Sequence, residues 1–483
     1  MQSMRRATSI IAFSQLINYA VPLLTFPLLV KTFEATLYGV WIEASTLIAL
    51  LSTLGGAGLG NATAALILNQ AESESNRIYS NALYLFGTIG TILAAMLFLL
   101  AAPLNRIMVH HASGDDVIRW ASPMVLVLAL NWLASQVFRV RQRPFTFAIF
   151  DISLNVARVS VVIASVFHRD LTIFAMTYTI SQSAITLIEM VMVYRGIDLQ
   201  SFSVATSRQL LRFAVNLSVV NQSNWFVMYG DRLLLSFFTT STAVAIYSAS
   251  YQMTLVLVAL GSPFLYPLLP IIGERWKADD IMGIQTAIYG TTRLMIIVLI
   301  PAVVGLGMVG NNLLRILATN SFARGGLLIG LIGCGVALDV LGTSLQYIFQ
   351  VQGRPQVLRQ IYLRAAAFNL LINLGAIPLF GYYGAGVTTL LTFVLITFLL
   401  VRETLIPPSL LFDFRTIYRC TIASLLMAGW LWLAVGSTIF HLLFAIGGGV
   451  VIYGLGIVQL GVIHIKELIQ LFGNPLKRLL RMA

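Results

Sequence analysis

The chain has 483 residues, of which 58% are hydrophobic and only 10% are charged. Soluble proteins carry about 25% charged residues, so this composition excludes a water-soluble protein and requires lipid to cover most of the exterior. The net charge of +12 indicates basic loops on one side of a membrane and not nucleic-acid binding. The two cysteines, Cys334 and Cys420, have no metal-type spacing, and we predict no metal site.

The predicted elements are membrane-spanning helices, because apolar runs of about 20 residues recur from one end of the chain to the other. There are about fourteen of these runs. In chain order they cover 9–30, 38–60, 79–102, 118–138, 145–167, 171–194, 211–237, 243–270, 285–310, 325–350, 361–380, 383–401, 418–439 and 442–463. The links between them are short, so no soluble domain is predicted on either side. The basic N-terminus is predicted to enter the first span and not to be a signal peptide.

Lysine and arginine residues are unevenly distributed over the predicted loops. If the N-terminus is cytoplasmic, most of the 30 basic residues fall in cytoplasmic loops, Arg77, Arg141, Arg143 and Arg195 among them. This asymmetry is typical of the positive-inside rule. It predicts a multi-pass protein with both termini in the cytoplasm.

Two stretches of the chain are similar to each other. "YGVWIEASTLIALLSTLG" (38–55) aligns with "VAIYSASYQMTLVLVALG" (244–261). The same alignment superimposes two groups that each contain two amides and an aromatic, namely Gln15, Asn18 and Tyr19 on Asn221, Asn224 and Trp225. Parallel repeats of this kind are a known transporter plan. We therefore predict a six-helix lobe over 1–200, a second over 201–405, and two added helices with a basic cytoplasmic tail over 406–483.

Two segments carry a family resemblance, "PLLVKTFEATLYGVWIEASTLIALLSTLGGAGLGNA" (27–62) and "DRLLLSFFTTSTAVAIYSASYQM" (231–253). They resemble bacterial oligosaccharide flippases of the Wzx type, within the multidrug/oligosaccharidyl-lipid/polysaccharide exporter superfamily. The resemblance implies an all-α integral membrane fold, with two six-helix lobes in a V around a central cavity. It also implies alternating access that carries a polyprenyl-diphosphate-linked oligosaccharide to the outer leaflet of a bacterial inner membrane, in O-antigen or other cell-surface polysaccharide biosynthesis.

The expected partners under this resemblance are the lipid-linked oligosaccharide, membrane lipid and the polysaccharide polymerase machinery, and the chain is expected to be a monomer. We expect a transporter and not an enzyme, with no catalytic residue and no cofactor. The sequence contains no G-x-x-x-x-G-K-[ST] loop, which is the signature of an ATPase. Coupling to H⁺ or Na⁺, or removal of the substrate on the far side, is expected instead.

Ionisable residues within the predicted spans are candidates for function, because a charge inside a membrane is costly. Arg158, Arg293 and Asp339 lie deepest, where a cavity or a buried partner is expected. Arg158 and Arg293, with Arg232, are predicted to form a cationic lumen, since a guanidinium binds phosphate oxygens bidentately. The acids predicted to couple an ion or to gate are Glu43, Asp151, Asp231 and Asp339. The alternative for those near span ends is that they reach the interface or pair locally.

The amide and aromatic groups of the repeat have two interpretations. Gln15, Asn18, Tyr19, Asn221, Asn224 and Trp225 are predicted to line the cavity and contact the sugar. Alternatively, they join helices by interhelical hydrogen bonds. The segment "GGAGLG" (55–60) lacks the spacing of a phosphate loop. It is predicted instead to allow close helix packing or to break the helix near the inner end of the second span.

Two other functions stay open. An ion-coupled multidrug exporter of the same superfamily would use acid-centred cation sites, and the three intramembrane arginines disfavour it. A membrane polysaccharide polymerase or ligase would need a sizeable outer loop. The longest predicted outer loop is only 103–117, which contains His110 and His111.

Overall fold

A computed structural model describes residues 2–67, 70–141, 143–195, 202–404, 413–436 and 438–462. Within these ranges every regular element is a helix, which confirms the all-α fold class. The chain divides into two compact units, Met1–Ala245 and Ile246–Ala483. The lobe boundaries predicted at 200/201 and 405/406 fall on residues outside the described ranges and stay predictions, and the predicted basic tail over 463–483 also lies outside them.

The first unit contains long helices joined by short turns. Its elements are α1 (Gln2–Ile67), α2 (Glu72–Leu99), α3 (Ala101–Leu104), a π-helical segment (Asn105–Val109), α4 (Gly114–Ala121), α5 (Met124–Val140), α6 (Pro144–His168), α7 (Leu171–Tyr194), α8 (Val204–Phe238) and the first residues of α9 (Ser241–Leu265). Several starts follow simple capping rules. Pro144 occupies the first turn of α6, where its missing N–H costs nothing, and Asp170 caps α7 by accepting from the Thr172 and Ile173 amides.

Helix α1 contains two predicted spans, 9–30 and 38–60. They are separated by a sharp break at Glu34, whose backbone has φ 58° and ψ −177°. Beyond the break the helix runs without interruption through the "GGAGLG" segment. At Gly58 the side chain of Ser218 and the backbone oxygen of Ala214, both on α8, occupy the space that a Cβ atom would need. The prediction of close helix packing is therefore confirmed, because only a residue without a side chain lets the two backbones approach this far.

The second unit also consists of long helices joined by short segments. Its elements are the remainder of α9, α10 (Leu268–Lys277), α11 (Ile281–Leu317), a 3₁₀ segment (Asn320–Gly325), α12 (Gly326–Val351), α13 (Pro355–Glu403), α14 (Phe414–Ala434) and α15 (Ile439–Gln459). Helix α13 breaks at Gly381, with φ 57° and ψ −139°, between the predicted spans 361–380 and 383–401. Glycine adopts this backbone without steric cost.

The C-terminal pair α14 and α15 packs against α11. Buried Cys420 and Met427 on α14 share an apolar cluster with Ile297 on α11. The Tyr453 hydroxyl of α15 donates to the Ile297 carbonyl at 2.7 Å. The two added helices thus belong to the packed body of the second unit.

The described chain contains eleven helical stretches that are long and apolar enough to cross a membrane. Two of them, Ala20–Ile67 and Pro355–Glu403, contain the breaks at Glu34 and Gly381 and so account for two spans each. Helix α8 is not among the eleven, because its amides and its Asp231–Arg232 pair lower its mean hydropathy. Each of the fourteen predicted spans overlaps a described helix, and the chain is a multi-span membrane protein.

Candidate functional site

Three polar residues lie on one face of α6. Asp151, Asn155 and Arg158 follow one another at intervals of four and three residues, the spacing that aligns side chains along a helix. The rest of α6 is largely apolar, so this polar face must be compensated by neighbouring helices. Asn155 is buried, and Asp151 and Arg158 are half-buried.

Helix α1 provides the hydrogen-bond donors for Asp151. The Ser14 hydroxyl donates to Asp151 Oδ2, and Asn18 Nδ2 donates to the same oxygen at 2.8 Å. Asn155 Nδ2 in turn donates to Asn18 Oδ1 at 2.7 Å. We call Ser14, Asn18, Asp151, Asn155 and Arg158 the α6 polar chain. It is a continuous hydrogen-bonded link between the first and fifth predicted spans.

Arg158 ends the polar chain next to aromatic rings. Its Nε donates to the Tyr178 hydroxyl on α7 at 3.2 Å, and its Nη1 donates to Asn155 Oδ1 at 3.4 Å. The Tyr178 ring meets the Trp41 ring edge-on, with centroids 5.2 Å apart. A guanidinium has five N–H donors, so these two contacts leave donor capacity for an anion. Arginine, amide and aromatic groups together are the chemistry that recognises a phosphorylated sugar.

A second acid lies on α7 in the same unit. Glu189 is buried and accepts a hydrogen bond from Asn131 Nδ2 on α5 at 3.0 Å. Asp151 lies within its electrostatic range. The first unit therefore places two carboxyl groups within electrostatic range of each other.

Glu43, Asp231 and Arg232 lie in the same unit and are 1%, 1% and 7% exposed. Glu43 accepts from the Ser241 hydroxyl at 2.8 Å, and that hydroxyl also lies 3.0 Å from the Val109 carbonyl. These contacts tie α1 and the π-helical segment to the start of α9.

Arg232 is directed along its own helix. Its Nη1 donates to the Met228 carbonyl at 3.0 Å, and its guanidinium lies 5.0 Å from the centroid of the Tyr229 ring. Cation–π contact of this kind compensates a buried charge. Asp231 and Arg232 lie about two turns before the end of α8 at Phe238, in agreement with the position predicted near the end of the seventh span.

The middle of α8 carries buried donors that lack acceptors. Asn221 Nδ2, Gln222 Nε2 and Trp225 Nε1 have no hydrogen-bond partner among the described residues. The Trp225 ring stacks on the Tyr229 ring at 5.7 Å, while Asn224 is exposed. An unmet buried donor costs about 1–3 kcal/mol, and such groups in native proteins call for an explanation, such as a ligand or water. We call Asn221, Gln222 and Trp225 the α8 donor group.

Of the other residues in the predicted sugar-contacting set, Asn18 belongs to the α6 polar chain. The side chains of Gln15 and Tyr19 lie outside the part that the structure describes. The superposition of their group on the α8 amides therefore stays a prediction.

Arg293 and Asp339 belong to the second unit. Arg293 Nε on α11 lies 3.8 Å from Asp413 Oδ2, and its Nη2 donates to the Val462 carbonyl at 3.1 Å. Asp339 is half-buried on α12, within electrostatic range of Tyr362. Arg293 thus joins α11 to the ends of α14 and α15, and its predicted lumen role stays a prediction.

Asp413 is the residue before α14 and caps it. Burial raises the pKa of this carboxyl, but hydrogen bonds from Thr416 and Tyr289 and the Arg293 charge outweigh burial, so the pKa lies below its ordinary value of 3.8. The carboxylate is therefore the form that holds the N-terminus of α14 against α11.

The structure brings together three residues predicted separately, Asn18, Asp151 and Arg158. Sequence reasoning missed the residues that connect them, Ser14, Asn155 and Tyr178, and it missed Gln222. The spacing of Asp151, Asn155 and Arg158 indicates from sequence that they share one helix face. The contact between α1 and α6 has no local sequence pattern that would predict it.

Comparison with known proteins gives consistent results. Residues 4–276 match the sequence profile of the family described as "Polysaccharide biosynthesis protein". The "Probable low-salt glycan biosynthesis flippase Agl15" of Haloferax volcanii is 24% identical over 236 residues, which are 48% of this chain and 49% of that protein. "Probable flippase AglR" of the same organism is 23% identical over 174 residues, 36% of this chain and 37% of that protein. The chain thus spans about half the length, or less, of these curated relatives.

Solved structures share the fold. The "Lipid II flippase MurJ, inward closed conformation" superimposes with a TM-score of 0.78 at 12% identity, covering 93% of this chain and 98% of that chain. An inward-facing "multidrug resistance MATE family transporter of the MOP superfamily" superimposes with a TM-score of 0.61 at 13% identity, covering 79% and 96%. At these identities the likeness establishes the fold alone.

Proposed function

The chain belongs to the family of polysaccharide biosynthesis proteins, and we propose that it is a flippase for a lipid-linked glycan precursor. The resemblance seen in residues 27–62 and 231–253 is thereby confirmed. The names of the curated relatives, a glycan biosynthesis flippase and a second flippase, support transport of a glycan and not catalysis.

The α8 donor group is the observation that carries the proposal. Sugar hydroxyls and phosphate oxygens are acceptors, and Asn221, Gln222 and Trp225 offer donors that no described residue uses. Stacked Trp225 and Tyr229 rings add the flat apolar surface that a sugar ring packs against. A purely structural amide joint would have its donors paired across helices. These donors are therefore suited to a polar cargo.

We further propose which molecule is transported and by what mechanism. The cargo is a polyprenyl-diphosphate-linked oligosaccharide of the O-antigen type, and Arg158 binds its diphosphate. Transport runs by alternating access across a bacterial inner membrane, by a monomer with both termini cytoplasmic that delivers to polymerase machinery. H⁺ or Na⁺ drives it, with Asp151 and Glu189 as the coupling acids and Glu43, Asp231 and Asp339 as further candidates.

Flipping in proteoliposomes tests the proposal. A fluorescent polyprenyl-diphosphate oligosaccharide is reconstituted with wild-type protein, and the labelled lipid reaching the outer leaflet is measured by chemical quenching. Trp225→Phe keeps the ring and removes the N–H donor. Because one hydrogen bond contributes about 0.5–1.5 kcal/mol, we expect the flipping rate to fall about two- to tenfold while thermal stability is unchanged or raised. Trp432→Phe, on the exposed face of α14, is the matched control and should flip at the wild-type rate.

The outcomes separate the rival functions. Wild-type protein that exports organic cations but leaves the lipid-linked sugar in place would be a multidrug exporter. Equal flipping by wild type and Trp225→Phe would keep the flippase function but remove the α8 donor group from the cargo site. Comparing rates under a pH gradient and under a sodium gradient identifies the coupling ion.

A further inference from the structure

The first unit contains a cavity of about 660 Å³ that the transport proposal does not use. It lies where α1, α5 and α7 end and where α2 and α6 begin, with Gln70, Asn76 and Arg195 among its lining residues. All of these chain segments belong to loops that the distribution of basic residues assigns to the cytoplasmic side. The cavity is thus at one membrane face of the unit, away from the α8 donor group in the middle of a span.

Among the described residues that line this cavity are three arginines, Arg141, Arg143 and Arg195, and one carboxylate, Glu72. The nearby Glu74 pairs with Arg77 at 3.5 Å and so does not offset them. The cavity therefore has an excess of positive charge. A concave site with converging guanidinium groups attracts an anion more strongly than a flat basic surface does. We call it the basic cavity.

Arg141 is held in place before any ligand arrives. Its Nη1 donates to the Val193 carbonyl at 3.3 Å, and its Nη2 donates to Asn76 Oδ1 at 3.2 Å. The guanidinium also lies 5.0 Å from the centroid of the buried Tyr79 ring. A fixed guanidinium loses less conformational freedom on binding than a mobile one. A guanidinium has five N–H donors, so these contacts leave donor capacity for an anion.

Arg143 and Arg195 provide the exposed part of the cavity. Arg143 directly precedes α6, and its backbone N–H donates to the Phe138 carbonyl at 2.9 Å. Arg195 directly follows α7. Both side chains are exposed, so they can close on a ligand from two helix ends. Paired N–H···O bonds from guanidinium groups match the oxygens of a phosphate.

We propose that the basic cavity binds a phosphate group at the cytoplasmic surface. The shared chemistry is the phosphate oxygens, and their source is either a membrane phospholipid or a soluble phosphate. The volume lies within the range of small-molecule sites and exceeds the size of a phosphate alone, so it also admits the glycerol of a lipid headgroup. The site is separate from the cargo site and does not depend on which glycan is carried.

Lipid binding to the purified full chain tests this proposal. Native mass spectrometry counts bound phosphatidylglycerol and phosphatidylcholine over a concentration series. Wild-type protein is expected to retain one phosphatidylglycerol more tightly than phosphatidylcholine. The double variant Arg143→Gln/Arg195→Gln should bind that phosphatidylglycerol at least ~10-fold more weakly, because charge-assisted hydrogen bonds to phosphate are lost. Both residues are exposed, so the variant is expected to fold, and its melting temperature checks this.

A matched control removes two exposed arginines at the opposite helix ends of the same unit. Arg106→Gln/Arg169→Gln lowers the net charge by the same amount and should leave phosphatidylglycerol binding within about twofold of wild type. Equal weakening by both double variants would overturn the proposal, because general charge attraction would then explain the binding. Equal retention of the two lipids by wild type would also overturn it.

A competition arm identifies the source of the phosphate. Displacement of phosphatidylglycerol by millimolar inorganic phosphate, in wild type but not in the Arg143→Gln/Arg195→Gln variant, assigns the site to soluble phosphate. Retention of the lipid under the same phosphate assigns it to the headgroup. Because the readout is binding, a failure to flip any glycan lipid would refute the proposed function and leave this proposal standing.

Discussion

Replacing Arg158 with glutamine is expected to slow flipping far more than it destabilises the protein. The contacts of Arg158 within the protein are long, 3.2 Å to Tyr178 and 3.4 Å to Asn155, at or beyond the usual limit for N–H···O bonds. They account for about 1–2 kcal/mol of stability together. A bidentate contact to a diphosphate that forms during transport is charge-assisted, and its loss of about 1.5–3 kcal/mol corresponds to roughly 10- to 150-fold in rate.

Two companion variants distinguish cargo binding from structural support. Tyr178→Phe removes the acceptor of Arg158 Nε but leaves the guanidinium in place, so flipping should stay within about threefold of wild type. Arg158→Lys keeps the charge and loses the planar fork, so its rate should lie between those of wild type and Arg158→Gln.

The assay is the initial flipping rate in proteoliposomes that contain equal amounts of folded protein, with melting temperature measured on the same samples. Wild-type flipping by Arg158→Gln would refute the reasoning directly. An equal loss in Tyr178→Phe and Arg158→Gln would show that the α6 polar chain supports the fold and does not contact cargo.

Three further outcomes are expected. Gly58→Ala places a Cβ against Ser218 and should lower stability by about 1–3 kcal/mol; Gly87→Ala, with open space around it, should be neutral or stabilising, and melting temperatures compare the two. The pKa of Asp413 lies below its ordinary 3.8, so its stabilising contribution is present above about pH 4 and is lost as pH falls through the lower folded value. Hydrogen exchange at the start of α14 should therefore accelerate on acidification, and Asp413→Asn should remove this pH dependence. Glu34→Gly relieves a positive φ of 58° and should raise the free energy of unfolding by about 1–3 kcal/mol, measured as a higher melting temperature. An unchanged melting temperature would show that the break carries no strain.

Most of the helix layout could be predicted from sequence, because a span is a local property. Runs of about 20 apolar residues predicted the spans 361–380 and 383–401, and the break in α13 at Gly381 lies between them. The break at Glu34 was harder to locate, because a charged residue with positive φ has no local signature. Helix α8 is less apolar than the other spans because of its amides, yet the predicted span 211–237 lies within it.

The site was less predictable, because its contacts join distant parts of the chain. The presence of a charge within a predicted span identified Asp151 and Arg158 one at a time, and depth singled out only Arg158 of the two. Neither showed that Asn18 donates to Asp151 across 133 residues. Depth also singled out Arg293, and the structure shows a partner for it, Asp413 at the start of α14, that the sequence did not indicate. The depth of a charged residue in a span indicates that another group must compensate its charge, but it does not identify that group.

The α6 polar chain and the α8 donor group differ in how many of their hydrogen-bonding atoms have a partner within the protein. We infer from this difference that they have different roles in transport. Asp151 already accepts from Ser14 and Asn18, so protonating it would weaken the link between α1 and α6. An acid with that connection is suited to couple ion binding to helix movement. The α8 donor group has no described acceptor, so filling it requires a ligand or water and no rearrangement of paired groups. Arg158 lies between these cases, because weak contacts hold it and donor capacity remains. The experiments on Trp225 and Arg158 therefore probe cargo binding, while substitutions at Asp151 should change the ion dependence of transport before they change its selectivity.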